Sequence, residues 1–231
     1  MGTLTRTILG IFVKYPLAGD VKTRIAAELG GQRAAEIYAA FVADVVARFQ
    51  LTADERYLCF APSQDESREY FERLAGPGYR LWPQPGGNLG VRMRQFFDDH
   101  LGSTDRRVIV IGSDSPTLPR EFVERAYDDL GGADCVLGPA TDGGYYLIGM
   151  QGRVWPLFEE IEWGGSRVLE QTIRHVVAAG GRPALLPVWY DVDTPGDLQV
   201  LAGHLDALEA AGSSMNLDCT RRAFELFRIR E

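Results

Sequence analysis

Three cationic side chains, Lys14, Lys22 and Arg24, crowd into the segment 14–24, KYPLAGDVKTR, directly after an apolar run. A lysine offers phosphate a compact charge, an arginine offers a planar two-pronged fork, and a helix starting just beyond adds backbone N–H donors. The segment is therefore expected to cradle phosphate, although a solvated basic loop has the same composition. It is not a Walker loop, because Gly19 is separated from Lys22-Thr23 and the upstream glycine is missing. No G-x-G-x-x-G follows a strand either, which argues against a dinucleotide dehydrogenase.

Further clusters carry candidate chemistry. Asp114 sits in Gly112-Ser-Asp-Ser-Pro-Thr-Leu-Pro119, after the buried-type run 108–111. A carboxylate fixed at the mouth of a strand by Gly and Pro turns can hold Mg2+ or Mn2+ against a pyrophosphate. Turn formation or helix capping is the plainer role for such an Asp, but Ser115 and Thr117 are nearer candidates for the cap. Asp142-Gly143-Gly144 precedes Tyr145-Tyr146. Its glycines would let backbone approach a ligand closely, and a plain hairpin turn would use the same residues.

Asp191 and Asp193 share one face of an extended chain, and one of them is expected to complete a metal site opposite Asp114. Thr194 and Asp197 are expected to cap the helix that Pro195 begins. Residues 84–93, QPGGNLGVRM, read as a glycine-rich turn opening an amphipathic helix. That turn, with Asn88 in it, would wrap a base or ribose while Arg92 reaches a phosphate.

These loops need a scaffold, and the rest of the chain supplies one. Short apolar runs rich in β-branched residues recur at 8–13, 57–61, 79–82, 108–111, 135–137 and 185–188. Helical stretches at 32–49, 66–74, 89–101, 120–130, 166–179 and 194–211 separate most of them. The alternation predicts a mostly parallel sheet with helices on both faces. Residues 145–150 break it and are expected to form an extra, antiparallel strand. A last helix, beyond Ser213, is expected on the outside. In an open parallel sheet, ligands bind at the carboxyl ends of the strands, where the clusters above fall.

Composition narrows the class. With 231 residues, 45% hydrophobic and 24% charged, the chain is expected to form a single α/β domain over 1–231. A net charge of −8 argues against a nucleic-acid partner, which would call for a basic stripe. Cys59, Cys135 and Cys219 form no close pair, so neither a disulfide framework nor a cysteine zinc site is expected, and a reducing cytoplasm fits best. His100, His175 and His204 lack ligand spacing and are expected in surface or packing roles. The run 8–13 is too short for a membrane span and reads as a buried strand.

Taken together, the segments resemble the nucleotide-diphospho-sugar transferase fold, called GT-A among glycosyltransferases. The nearer resemblance is to a bacterial family of glycosyltransferase-like proteins, some of them linked to arsenosugar biosynthesis. It rests on Phe12-Val-Lys14-x-Pro16 with Lys22-Thr-Arg24, Gly87-Asn-Leu-Gly90-x-Arg92-Met, Gly112-Ser-Asp114-x-Pro116-x-Leu118, Ala140-Thr-Asp142-Gly-Gly144-Tyr-Tyr-Leu and Asp191-Val-Asp193-Thr-Pro. More distantly the chain is similar to the guanylyltransferases of molybdenum-cofactor and phospholactate metabolism.

The resemblance implies that Lys14, Lys22 and Arg24 contact phosphates and that Asp114 binds the metal, with Asp193 the better second ligand. Asn88, Arg92, Gly143 and Gly144 complete the expected nucleotide site, and Lys22 and Asp142 are the candidate catalytic groups. A Trp followed by Ser or Thr is expected near Trp163, but Gly164 and Gly165 intervene before Ser166, so no catalytic role is carried there. The leading expectation is Mg2+- or Mn2+-dependent glycosyl transfer from a nucleotide sugar to a small-molecule acceptor. Its rivals are nucleotidyl transfer from a nucleoside triphosphate with release of pyrophosphate, and a non-catalytic nucleotide sensor.

Overall fold

The computed structural model describes residues 5–102 and 105–228, with side chains through residue 225. In the first strand, β1 (Arg6–Lys14), successive side chains face opposite ways, so Ile8 enters one apolar layer while Leu9, Ile11 and Val13 enter the other. A strand apolar on both faces must be covered on both. The chain meets this need with α1 (Thr23–Leu29), α2 (Gly31–Arg48), β2 (Glu55–Ala61), α3 (Asp65–Ala75), β3 (Arg80–Pro83), α4 (Leu89–His100) and β4 (Arg106–Ile111). β1 runs parallel to both β2 and β4, and β2 runs parallel to β3.

The second half continues through α5 (Arg120–Asp129), β5 (Cys135–Pro139), β6 (Tyr145–Gln151), α6 (Val168–Ala178), β7 (Pro183–Leu185), α7 (Pro195–Ala210) and α8 (Asp218–Arg228). The seven strands form one sheet in the order β3-β2-β1-β4-β6-β5-β7. As the Gly143-Gly144 pair predicts, β6 is an extra strand, antiparallel to β4 and to β5. On one face Leu9, Ile11 and Val13 pack with Tyr38, Val42, Val45 and Val123, bringing α2 and α5 onto the sheet. On the other, Ile8, Val108 and Val110 pack with Met93, Phe96, Phe97 and Val176, from α4 and α6. Ile25, Ile37, Phe41, Val192, Leu198 and Leu201 form a third cluster, which ties α1 and α7 to the outer side of α2.

The strand expected at 185–188 needs correcting: β7 is Pro183–Leu185. Pro187 has no N–H for the ladder, so regular pairing stops before it, although Leu186 N and Trp189 N still donate to the carbonyls of Leu137 (2.9 Å) and Pro139 (3.0 Å). The helix expected at the end of the basic segment is α1, seven residues capped by Gly30, which the apolar periodicity alone does not mark. The final helix lies on α2, where Asp44 accepts from the N–H groups of Cys219 (3.1 Å) and Thr220 (2.7 Å) and so caps its first turn.

All three histidines fall on helices, and two show packing roles. His100 is buried with Nδ1 2.8 Å from the Phe96 carbonyl, and His204 Nδ1 lies 2.7 Å from the Tyr190 hydroxyl. The three cysteines are free. Among the described residues no helix is long and apolar enough to cross a membrane.

Candidate functional site

Because β1 and β4 are parallel neighbours, their carboxyl ends lie side by side, and the loops that follow them meet. A cleft of about 820 Å3 opens over these ends. All the candidate site residues except Gly143 border it.

The loop after β1 separates its cations. Lys22 takes a left-handed backbone (φ 47°, ψ 45°), rare for a residue with a side chain, at the start of α1. Its side chain turns inward and is only 3% exposed, whereas Lys14, Thr23 and Arg24 are exposed. The buried ammonium donates to Asp114 Oδ1 and, at 2.8 Å, to Asp193 Oδ1. Burial alone would drive the proton off Lys22, but the charges of Asp114 and Asp193 outweigh it, so the ammonium holds its proton more tightly than a free lysine does. The ion pairs therefore join the loops that leave β1, β4 and β7.

Backbone and hydroxyl contacts hold the same junction. Val192 N donates to the Asp114 carbonyl at 2.9 Å, and Ser115 Oγ donates to the Tyr190 carbonyl (2.9 Å) and to Asp191 Oδ1. Asp191 thus engages Ser115 rather than Lys22, although it too borders the cleft. Burial first, then the charge of Asp114, pushes its carboxyl up to about 7 against the opposing Ser115 hydrogen bond, with Asp142 and Asp193 adding to the rise. On the capping side, Thr194 and Asp197 form the expected reciprocal box at the start of α7.

Beneath the junction sits Tyr38 of α2, only 3% exposed. Its hydroxyl accepts from Lys14 N at 2.9 Å and lies 2.8 Å from Ser113 Oγ, so one buried oxygen spans the ends of β1 and β4. Burial and, second, the charge of Asp114 push this phenol up to about 12, which keeps it protonated.

Across the cleft, Asn88 caps α4 by accepting from Val91 N at 3.0 Å. Arg92 is tied back to the turn before it, with Nε on the Gly87 carbonyl (3.0 Å) and NH1 on Gln84 Oε1 (3.3 Å). Gln84 is itself buried and donates to the carbonyl oxygens of Val13 (3.3 Å) and Cys59 (2.5 Å). Gly143 lies under the wall rather than in it. It has φ 91°, and a Cβ there would fall 2.0 Å from the Ser166 carbonyl oxygen, so no other residue allows the 164–166 turn to close on it. Asp142 is exposed and accepts from Gly144 N at 2.8 Å. Trp163 also borders the cleft. Its ring packs where a side chain on Gly90 would be, 2.6 Å from the position of a Cβ.

Residues 45–165 match the family described as uncharacterized proteins conserved in bacteria, DUF2064. A crystal structure of a candidate nucleotide-diphospho-sugar transferase from Desulfovibrio desulfuricans G20 is 35% identical over 96% of each chain, with a TM-score of 0.83. The chain belongs to the DUF2064 family. Its fold is that of the nucleotide-diphospho-sugar transferases. Fold likeness alone extends to 4-diphosphocytidyl-2C-methyl-D-erythritol synthase, at 15% identity over 88% of this chain and 100% of that one, with a TM-score of 0.56. It extends also to a nucleotidyl transferase from Methanothermobacter, at 14% identity over 86% and 97% of the two chains, again with a TM-score of 0.56. No curated protein gives a significant match.

In this DUF2064 protein the sequence motifs contain Gln84 and Ser113 but give them no role, and pass over Tyr38, although these groups set the loops in place. Tyr38 falls in the helical apolar stripe with Ile37, Phe41 and Val42 and reads there as ordinary core. Only its hydroxyl distinguishes it, and a hydroxyl does not announce its partners from a linear pattern.

Proposed function

We propose that the whole chain acts as one metal-dependent transferase domain, which binds a nucleotide sugar and passes its glycosyl group to a small-molecule acceptor. The observation that carries this reading is the convergence of Asp114 and Asp193 on one cationic centre, the Lys22 ammonium, at a mouth also lined by Lys14 and Arg24. Carboxylates brought together from separate loops fit Mg2+ or Mn2+, which take hard oxygen donors. Such ions are commonly held by one or two carboxylates with substrate phosphates completing the shell. When bound there, the metal supplies charge neutralisation on the two phosphates of the leaving group.

The residues of the chain do the rest. Lys14 and Arg24, exposed at the mouth, offer charge-assisted hydrogen bonds to phosphate oxygens. Gly144, which borders the cleft, lets its wall come close to the donor, and Gly143 behind it lets the 164–166 turn close on that wall. Asp142, with one oxygen engaged by Gly144 N, accepts the proton of an acceptor hydroxyl as its oxygen attacks the anomeric carbon. The bond from that carbon to the phosphate oxygen breaks, and nucleoside diphosphate leaves. The sugar as transferred group is supported by the candidate nucleotide-diphospho-sugar transferase at 35% identity. The free thiols of Cys59, Cys135 and Cys219 suit a reducing cytoplasm.

Nucleotidyl transfer is a second reading, favoured by the gathering of Lys14, Lys22 and Arg24 at one mouth, where they would suit a triphosphate. The experiment that separates the readings incubates the protein and Mn2+ with UDP- and GDP-sugars, and separately with GTP or CTP and phospho-acids. Slow metal-dependent hydrolysis of a nucleotide sugar is expected even without acceptor. Pyrophosphate from a triphosphate, with no turnover of any nucleotide sugar, would install the second reading. Binding without any turnover would leave a sensor.

A further inference from the structure

We propose that Lys22 holds the metal's seat in the ligand-free protein, so that the divalent cation and the diphosphate bind productively only together. The inference rests on the reading of Asp114 and Asp193 as the metal's carboxylates. Both engage Lys22 Nζ through Oδ1, Asp193 at 2.8 Å. A small divalent cation sits about 2.1 Å from its oxygen ligands, so the same oxygens cannot serve it while the ammonium remains. Two cations at that separation would also repel each other strongly.

The placement is built in. The left-handed backbone of Lys22 turns the side chain inward while Asp20, Thr23 and Arg24 stay exposed. Tyr38 closes the floor, with its ring centroid 5.7 Å from Nζ. Lysine suits such a task because its four-carbon stem can carry the ammonium elsewhere while the backbone stays put.

A bare metal ion taking the two Oδ1 atoms would have to break both ion pairs and leave a buried ammonium without an anion. A diphosphate changes the balance, because its oxygens can take over the ammonium as the carboxylates turn to the cation. Each ligand therefore raises the affinity of the other, and the coupling passes through Lys22.

The test measures Mn2+ binding, from the electron paramagnetic resonance of the free ion, with and without methylenediphosphonate as a non-hydrolysable diphosphate. The proteins are the wild type, Lys22→Met, and Lys14→Met, which removes the same charge from the same cleft. Lys22→Met is expected to bind Mn2+ alone about tenfold or more tightly than wild type, the equivalent of one charge-assisted hydrogen bond no longer broken. Lys14→Met should change it little. The diphosphate should tighten Mn2+ binding more in wild type than in Lys22→Met.

Unchanged Mn2+ affinity in Lys22→Met, or an equal gain in Lys14→Met, overturns the proposal and leaves the metal assignment standing. Absence of Mn2+ binding in every protein, with or without diphosphate, overturns the metal assignment and the proposal with it. The unaltered protein offers a readout independent of folding in the variants. The 15N signal of the Lys22 ammonium should hold through a Mg2+ titration and shift once methylenediphosphonate is added. A shift on Mg2+ alone would also count against the proposal.

Discussion

The two ends of the sheet treat charge in opposite ways. At the amino ends of β1 and β2 the carboxylates of Asp54 and Glu55 are matched to nearby donors. Asp54 Oδ2 accepts from Thr7 N (2.8 Å) and Thr7 Oγ1 (2.9 Å), and Glu55 pairs with Arg80 (2.8 Å) and Arg6 (3.3 Å). At the carboxyl ends Asp114 and Asp193 close on one buried cation, Lys22, and Asp142 and Asp191 border the same cleft. The first arrangement follows from folding alone, since each charge finds a partner within the chain. The second crowds carboxylates from separate loops into one cleft, as expected of a place that stores unfavourable electrostatics for a ligand.

That contrast can be broken by mutation. The largest effect is expected at the cleft end from Asp114→Ala. Metal-dependent nucleotide binding should fall by about a hundredfold or more, since even groups behind a metal ligand are commonly worth about ten- to a hundredfold. Circular dichroism should show the fold intact, because the strands around Asp114 are held by their own ladders. Unchanged Mn2+-dependent affinity by calorimetry would mean that the carboxylates at this end do not serve a metal.

Asp191 sharpens the comparison through pH. Its native carboxyl is raised from 3.8 to about 7, burial and Asp114 being the main causes. Between these values the folded protein carries the proton and the unfolded chain does not, so stability falls as pH rises through that window and stays low above it. Asp191→Asn removes the titration while keeping an oxygen for Ser115. The carboxyl is only partly buried and water screens part of the effect, so the variant should regain roughly 2 kcal/mol above the window. Urea unfolding in chelator at pH 5 and pH 8 measures it, and parallel pH profiles for the two proteins would refute the strain assigned to this end.

Asp54 gives the smallest effect, with the opposite sign. Hydrogen bonds from Thr7, the backbone N–H first, lower its pKa below 3.8. The stability it confers is therefore present at neutral pH and is lost as pH falls through the lowered value. Asp54→Asn should cost at most ~1 kcal/mol at pH 7, less at pH 3, and nothing in nucleotide or Mn2+ affinity, because the group is exposed and sits at the far end of the sheet. A loss of ligand affinity in this variant would show that the two ends are coupled.

Much of the fold was legible before any coordinate. The β-branched runs and the apolar periodicity between them predict β1 to β6 and the long helices within a few residues, because burial on both faces of a parallel strand demands those patterns. The Asp-Gly-Gly turn marks β6 as the strand that reverses. Pro187 shows the limit: an apolar run at 185–188 reads as a strand, yet one missing N–H ends β7 at Leu185.

At the site, sequence by itself determined which residues arrive at the strand mouths, since chain position after a buried strand decides that. Lys14, Lys22, Arg24, Asp114, Asp142, Asp191 and Asp193 all reach one cleft. Only the tertiary structure decided their relations. Lys22 and Arg24 are interchangeable cations in the linear pattern, but the left-handed backbone at Lys22 turns one inward and leaves the other in solvent. Asp191 and Asp193 are equivalent on an extended chain, but Ser115 takes the first and Lys22 the second. Such choices depend on partners distant in sequence, Lys22 and Asp193 being 171 positions apart, and on a local backbone twist that no residue type encodes.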